Sequence, residues 1–183
     1  MEGREWSFYR RVGAVNPLYY TSPTGQTYSS FSHSANVLHA TPFIVNKNSV
    51  ADRIGINITI AGTSTKVRLP IYDDSANVSP GNLIVDSGDI AIGVGFKEAV
   101  INTPLIAGKL YWLVYLTDGT ATVSVATPAS NLPAYLGYDP SIAMQGISAW
   151  NVAFPYAAYP GVFTAGGAFV IGGIPLVSVR FSS

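Results

Sequence analysis

The 183 residues suffice for one large β domain or for a domain with an extension, and ten Lys and Arg balance ten Asp and Glu, for a formal net charge of zero. That balance excludes a surface built for sequence-independent nucleic-acid binding, which needs a cationic face, and the absence of cysteine excludes a disulfide framework and a thiolate metal site. Only 11% of residues are charged while 48% are hydrophobic, against roughly 25% charged in an average domain, so contact between copies of the chain is expected to cover part of its surface.

The chain opens with MEGREWSFYRR, which is charged and aromatic and lacks the apolar core of a secretion signal, so folding in a cytoplasm is expected. Arg4, Arg10 and Arg11 form a local basic cluster read as a solvated or partner-contacting tail. Residues 1–35 are rich in Ser, Thr, Tyr and Arg and show no sustained period; YYTSPTGQTYSSFSHS, Tyr19 to Ser34, reads as extended or loop. Trp6, Phe8, Tyr9, Tyr19, Tyr20, Tyr28 and Phe31 are too many aromatics for a disordered tail. They predict an N-terminal attachment arm over residues 1–35 that docks on the body or on a neighbouring subunit, with Trp6, Tyr19 and Tyr20 at the contact.

From residue 36 the pattern is that of β-structure, and residues 36–183 are expected to form an antiparallel sandwich. In DRIGINITI, Ile54, Ile56, Ile58 and Ile60 alternate with Gly55, Asn57 and Thr59, a period of two. AGTST then turns the chain. KVRLPIY continues the alternation through Val67, Leu69 and Ile71, and Pro70 predicts an edge strand or one whose amide side is unpaired. Asp73 to Asn82 reads as a turn-rich loop punctuated by Pro80-Gly81. Two short strands flank Asp86-Ser87-Gly88, KEAVI follows, and Asn102 to Pro104 reads as a turn.

In KLYWLVYLT, Leu110, Trp112, Val114 and Leu116 point one way and Tyr111, Leu113 and Tyr115 the other. Apolar residues on both faces mean a strand covered on both sides, or one whose outer face meets another subunit; Tyr111, Leu113 and Tyr115 are the expected subunit contacts. Asp118-Gly119 is a hairpin signal returning through ATVSVAT. Residues 127–147 read as a structured loop, SAWNVAF as a short strand, PYAAYPGVFTAGGAFVIGG as a long excursion and IPLVSVRF as the last strand. Pro160, Pro175 and several glycines interrupt the weakly polar stretch from Ala157 to Val179, so it is no membrane span.

Few residues suggest chemistry. His33 and His39, six apart, fit neither a helical pair nor a strand pair joined to carboxylates, and read as structural histidines. No nucleophile elbow, phosphate loop or dinucleotide fingerprint occurs, and Gly93 to Gly95 reads as a turn. Asp73, Asp74, Asp86 and Asp89 could gather around calcium or supply a glycosidase acid pair, but aspartate is common at turns for its local hydrogen bonds, and that reading is preferred. No catalytic residue, cofactor or metal ligand is assigned. Tyr135, Tyr138, Trp150, Tyr156, Tyr159 and Phe163 crowd the C-terminal loops; such rings pack, anchor an interface or stack on sugars. Trp150, Tyr156 and Tyr159 are the candidates for contact with a glycan or a partner.

The stretch from Ala40 to the end resembles a β-sandwich module of tail, fibre and other virion proteins of tailed bacteriophages. TPFIV opens it, followed by DRIGINIT. RLPIYDD is similar to the family's R-L-G-I-Y-x-D step, with Pro70 in place of Gly. SPGNLIVDSG resembles P-G-x-L-x-x-D-x-G, and LIAGKLYWLVYLTDG resembles L-x-x-G-x-Y-W-L. AFPYAAYPGVF and a final IPLVSVR complete the order. The resemblance implies an all-β, jelly-roll-like antiparallel sandwich, commonly trimeric, on a virion exterior as a capsid-decoration, head-fibre, tail-fibre or tail-tip protein. Its implied partners are copies of itself and other virion proteins, with a host-surface glycan as the alternative, and neither nucleic acid nor membrane insertion. It carries over no catalytic residue.

Overall fold

The structure is a computed structural model that describes residues 18–22, 25–76, 79–128, 149–164, 166–170 and 173–182. Among these residues there are fifteen strands and no helix, as the period-two patterning requires. Seven strands make the first sheet: β1 (Tyr19–Thr21), β2 (Gly25–His33), β4 (Ser49–Ile60), β9 (Gly95–Leu105), β11 (Ala121–Pro128), β14 (Ile174–Pro175) and β15 (Ser178–Phe181). Eight make the second: β3 (Val37–Ile44), β5 (Lys66–Arg68), β6 (Ile71–Asp74), β7 (Pro80–Val85), β8 (Ile90–Ala91), β10 (Leu110–Thr117), β12 (Ala149–Ala153) and β13 (Ala168–Val170). All pairings are antiparallel, and the two sheets stack as a β-sandwich.

The layer between the sheets follows from alternation. Ile54, Ile56 and Ile58 of β4, Val123 and Val125 of β11 and Val179 of β15 descend from the first sheet. Phe43 of β3, Val67 of β5, Ile71 of β6 and Tyr111, Leu113 and Tyr115 of β10 rise from the second. Removing such apolar surface from water stabilises the fold by about 25 cal/mol per Å².

The opposite face of β10 is buried as well. Trp112, Val114 and Leu116 join Leu38 and Ala40 of β3, Tyr72 of β6 and Val152 of β12 under Tyr159 and Phe163. The cover is the chain's own segment 154–164, laid as a flap over the second sheet. It is fastened by backbone bonds from Phe163 N to Gly81 O (2.8 Å), Leu83 N to Gly161 O (2.8 Å) and Phe154 N to Asn36 O (2.9 Å). Phenols add to these: Tyr72 donates to Pro160 O (2.9 Å) and Tyr159 to Arg68 O (3.2 Å). Tyr111, Leu113 and Tyr115 are therefore core residues between the sheets and not subunit contacts. Of the two explanations for a doubly apolar β10, cover from the same chain is the one realised.

Further expectations change. Asp118-Gly119 does not close a hairpin: β10 and β11 do not pair, and the turn between them crosses from the second sheet to the first. Residues 19–21 and 25–33 belong to the sandwich: β1 pairs with β15, and β2 pairs with β11 from Ala121↔His33 to Pro128↔Gly25, so a boundary at residue 35 does not separate an arm from a body. Backbone pairing needs no apolar period, which is why the Ser- and Thr-rich stretch did not read as a strand. Pro70 is not at an edge, because β5 and β6 both pair with β10 on one side and with β8 and β7 on the other. It sits where one strand line breaks in two, and the Leu69 amide at the break is taken by Ser87 Oγ (2.8 Å). Asn102 to Pro104 is not a turn but the end of β9, whose pairing runs along β4 alone among the named strands, so Pro104 falls on an edge strand, where proline is tolerated. Among the described residues no helix is long and apolar enough to cross a membrane.

Candidate functional site

The four aspartates divide between two places. Asp86 takes Arg68 (Nη2 to Oδ2, 3.0 Å) and caps its own turn by accepting from Gly88 N (2.9 Å). Asp89 takes Lys66 Nζ (2.9 Å), Arg68 Nη1 (3.5 Å) and the Tyr156 hydroxyl (3.0 Å), and the ammonium of Lys66 beside it holds its carboxyl below the ordinary range. Asp74 accepts from Trp112 Nε1 (3.1 Å) and Ala76 N (3.0 Å), and Asp73 accepts from the amide of Asn82. Asp73, Asp74 and Asp86 each accept a bond within their own turn, the local role expected of turn aspartates, whereas Asp89 is held by cations and a phenol from distant parts of the chain. Asp73 and Asp74 line an open cleft of about 480 Å³ together with Ile84, Ile106 and Lys109. Among the described residues no group of three His, Cys, Asp or Glu side chains could hold a metal ion.

The candidate glycan contacts serve the flap. Tyr159 is buried, with its ring stacked on Phe154 at a centroid distance of 6.3 Å, so it offers no face to a sugar. Tyr156 is partly buried; its N–H donates to Asn36 Oδ1 (2.8 Å) and its hydroxyl to Asp89. Trp150 packs against the cluster beneath the flap and donates from Nε1 to Gly166 O (3.2 Å). Tyr135 and Tyr138 lie outside the described residues, as does Trp6.

The outer face of the first sheet has no such flap among the described residues. β9 presents Phe96, 45% exposed, and Val100, 72% exposed, on the same side as Gly55 and Arg53 of β4. The Phe96 ring lies across Gly55, where an added Cβ would stand 2.6 Å from it, and Tyr19 meets the ring edge-on at 4.8 Å. Tyr19 also bonds Glu98; burial and then this carboxylate push its phenol up to about 12, so it remains a neutral donor. Tyr20 points to the other side, onto Phe181 (5.5 Å) and the interlayer core. The Arg53–Glu98 ion pair (3.6 Å) lies on the same face between Phe96 and Val100, and the two-pronged Arg180–Asp52 pair (2.8 and 2.7 Å) lies nearby. Exposed apolar side chains interleaved with paired charges are compatible with a protein interface, whose contacts mix the two. Sequence reasoning missed Phe96 and Val100, although their alternation with Lys97 and Ala99 was there to be read.

A second arrangement lies at one end of the interlayer. His33 of β2 and His39 of β3, 4% and 8% exposed, meet with ring centroids 4.4 Å apart, and both face Tyr115, at 5.6 and 6.0 Å. Asn151 of β12 stands opposite His39 in the ladder. The buried side-chain atoms without a hydrogen-bond partner among the described residues are His33 Nε2, His39 Nε2, Tyr115 Oη and Asn151 Oδ1, all in this cluster. Burial lowers the His33 imidazole to about 4. Burial and the field of His33 lower His39 to about 3, with Asn151 working in the opposite direction. The six-residue spacing concealed the pair because β2 and β3 belong to different sheets, and the turn at Asn36, with φ of 61°, folds one histidine over the other.

Set beside known proteins, the chain matches no family model and no curated protein.

Proposed function

We propose that this protein is a non-enzymatic structural subunit of a tailed-bacteriophage virion. It assembles with copies of itself, in a trimer, through the outer face of the first sheet. The observation that carries this reading is the exposed pair Phe96 and Val100, set around the Arg53–Glu98 ion pair on a face that has no flap among the described residues, while the other face is closed by the chain's own flap. The ion pairs beside Phe96 and Val100 contain both signs, and the whole chain carries no net charge, so like copies meet there without repulsion. The virion setting rests on the ordered resemblance from TPFIV to IPLVSVR. A surface decoration or fibre component needs such an interface and needs no catalytic group.

Size-exclusion chromatography with light scattering tests the assembly. The unaltered chain is expected to run as an oligomer, and Val100→Asp as a monomer with an unchanged circular dichroism spectrum. A charge in the centre of such an interface costs about 2 kcal/mol or more of association, roughly a thirtyfold weakening, whereas an exposed substitution shifts folding by no more than about 0.5 kcal/mol. An unaltered chain that stays monomeric at its highest attainable concentration refutes the proposed assembly. Deleting residues 1–17 spares β1 and β2, and the shortened chain is expected to fold but to fail to join particles; normal incorporation would remove the attachment role from that segment.

A further inference from the structure

Strand β2 is held to the sandwich in an unusual way. It pairs with β11 along one side through an almost unbroken ladder, yet none of its described side chains belongs to the interlayer core. Tyr28, Ser29, Ser30, Phe31 and Ser32 are exposed, and the buried side chain it supplies among those described is His33, its last residue. That one anchor is set against another histidine. From the elements packed around the pair, β10 brings Tyr115, β12 brings Asn151, β11 brings Ala121 opposite His33, and β2 brings the Phe31 ring, 5.3 Å from His33. None of these is a carboxylate. Asp118, at the β10–β11 turn, acts on Tyr115 and is engaged by Ser64, Thr65 and Lys66. A proton arriving on either imidazole would therefore sit in a buried site, beside the other ring, with no carboxylate among these neighbours to receive it.

We infer that the His33–His39 contact is an acid-sensitive latch that holds β2 against the body of the sandwich and releases it, ahead of the other strands, when the histidines are protonated. Release frees the β11 edge, whose backbone groups are then available to another strand. The sign follows from the folded values of about 4 and about 3 against 6.5 for a free imidazole. The closed form binds fewer protons than the open one throughout the interval below 6.5. Closure is thus fully favoured above pH 6.5 and weakens as pH falls, about tenfold per unit for each histidine released, until the folded values are reached. β2 responds first because, among the described side chains, the ladder and His33 are its attachments, whereas β4 and β10 are fixed by aliphatic and aromatic side chains that do not titrate in this range.

The test is amide hydrogen exchange on the full chain at pH 7 and pH 4, corrected for intrinsic rates. Protection of residues 25–33 is expected to fall about a hundredfold or more, while β4, β9 and β10 stay protected. His33→Asn, which carries no charge at either pH, is expected to keep β2 protected at pH 4. Imidazole titration by NMR of the unaltered protein decides the matter if that variant does not fold: both rings should titrate below pH 5, in step with β2 exchange. Histidines titrating near 6.5 in the intact protein, β2 remaining protected at pH 4, or all strands losing protection together would each overturn the latch.

Discussion

Replacing Trp112 with alanine is expected to lower the stability of this protein by about 3–5 kcal/mol, the cost of a large-to-small substitution at a fully buried aromatic. Trp112 is fully buried, on the flap side of β10, between the sheet and the segment carrying Tyr159 and Phe163. Alanine would leave a cavity there and strip Asp74 Oδ1 of the Nε1 bond. For a domain of this size each kcal/mol moves the melting temperature by roughly 2–4 °C, so calorimetry should find a fall of about 10 °C. Trp112→Phe keeps most of the apolar area and loses the polar bond, and should cost less than half as much. Val162→Ala, on the exposed tip of the flap, should be nearly silent. A Trp112→Ala protein that melts within a degree or two of the original would mean that the flap does not seal this face.

Asp118→Ala is expected to cost about 2–3 kcal/mol, on the scale of hydrogen bonds made to a charged group. The carboxylate accepts from Ser64 Oγ (2.8 Å), Thr65 N (2.8 Å) and Lys66 N (3.0 Å), tying the β10–β11 turn to the segment between β4 and β5. Burial pushes this carboxyl up, but the bonds from Thr65, Lys66 and Ser64 outweigh it and hold the group at about 2. The unfolded chain, with the group near 3.8, takes up its proton first, so this contribution is complete above pH 4 and is lost as pH falls towards 2. The histidine latch fails over a higher interval, below 6.5. Denaturant titrations across pH should therefore show two separate acid losses. Asp118→Asn should flatten the lower one and leave the upper one in place; a variant that loses stability equally at pH 3 and pH 7 would contradict the assignment.

Much of the sandwich was legible in the order of residues. Ile54, Ile56 and Ile58 announced their strand and their inward face, because period is a local property that survives without knowledge of neighbours; Asp118-Gly119 announced a turn, but not that this turn carries the chain from one sheet to the other instead of closing a hairpin. The strand at Tyr28 to His33 was not legible, since its stability comes from hydrogen bonds to β11 almost a hundred residues away and not from its own side chains. Tyr111 and Tyr115 were misread as contacts for the same reason: alternation shows that β10 is apolar on both faces but not what lies on either.

The sequence by itself determined an all-β sandwich without cysteine or net charge, and the two-sided burial of β10. It also determined the local turn bonds of Asp73, Asp74 and Asp86, but not the distant partners of Asp89. Tertiary structure alone decided that the aromatic segment 154–164 closes one face, that Phe96 and Val100 stay open on the other, and that His33 and His39 touch. Backbone periodicity is written within a few residues, whereas the partner of a face or of a ring is set by strand order, and strand order in an antiparallel sandwich depends on pairings between distant stretches of chain.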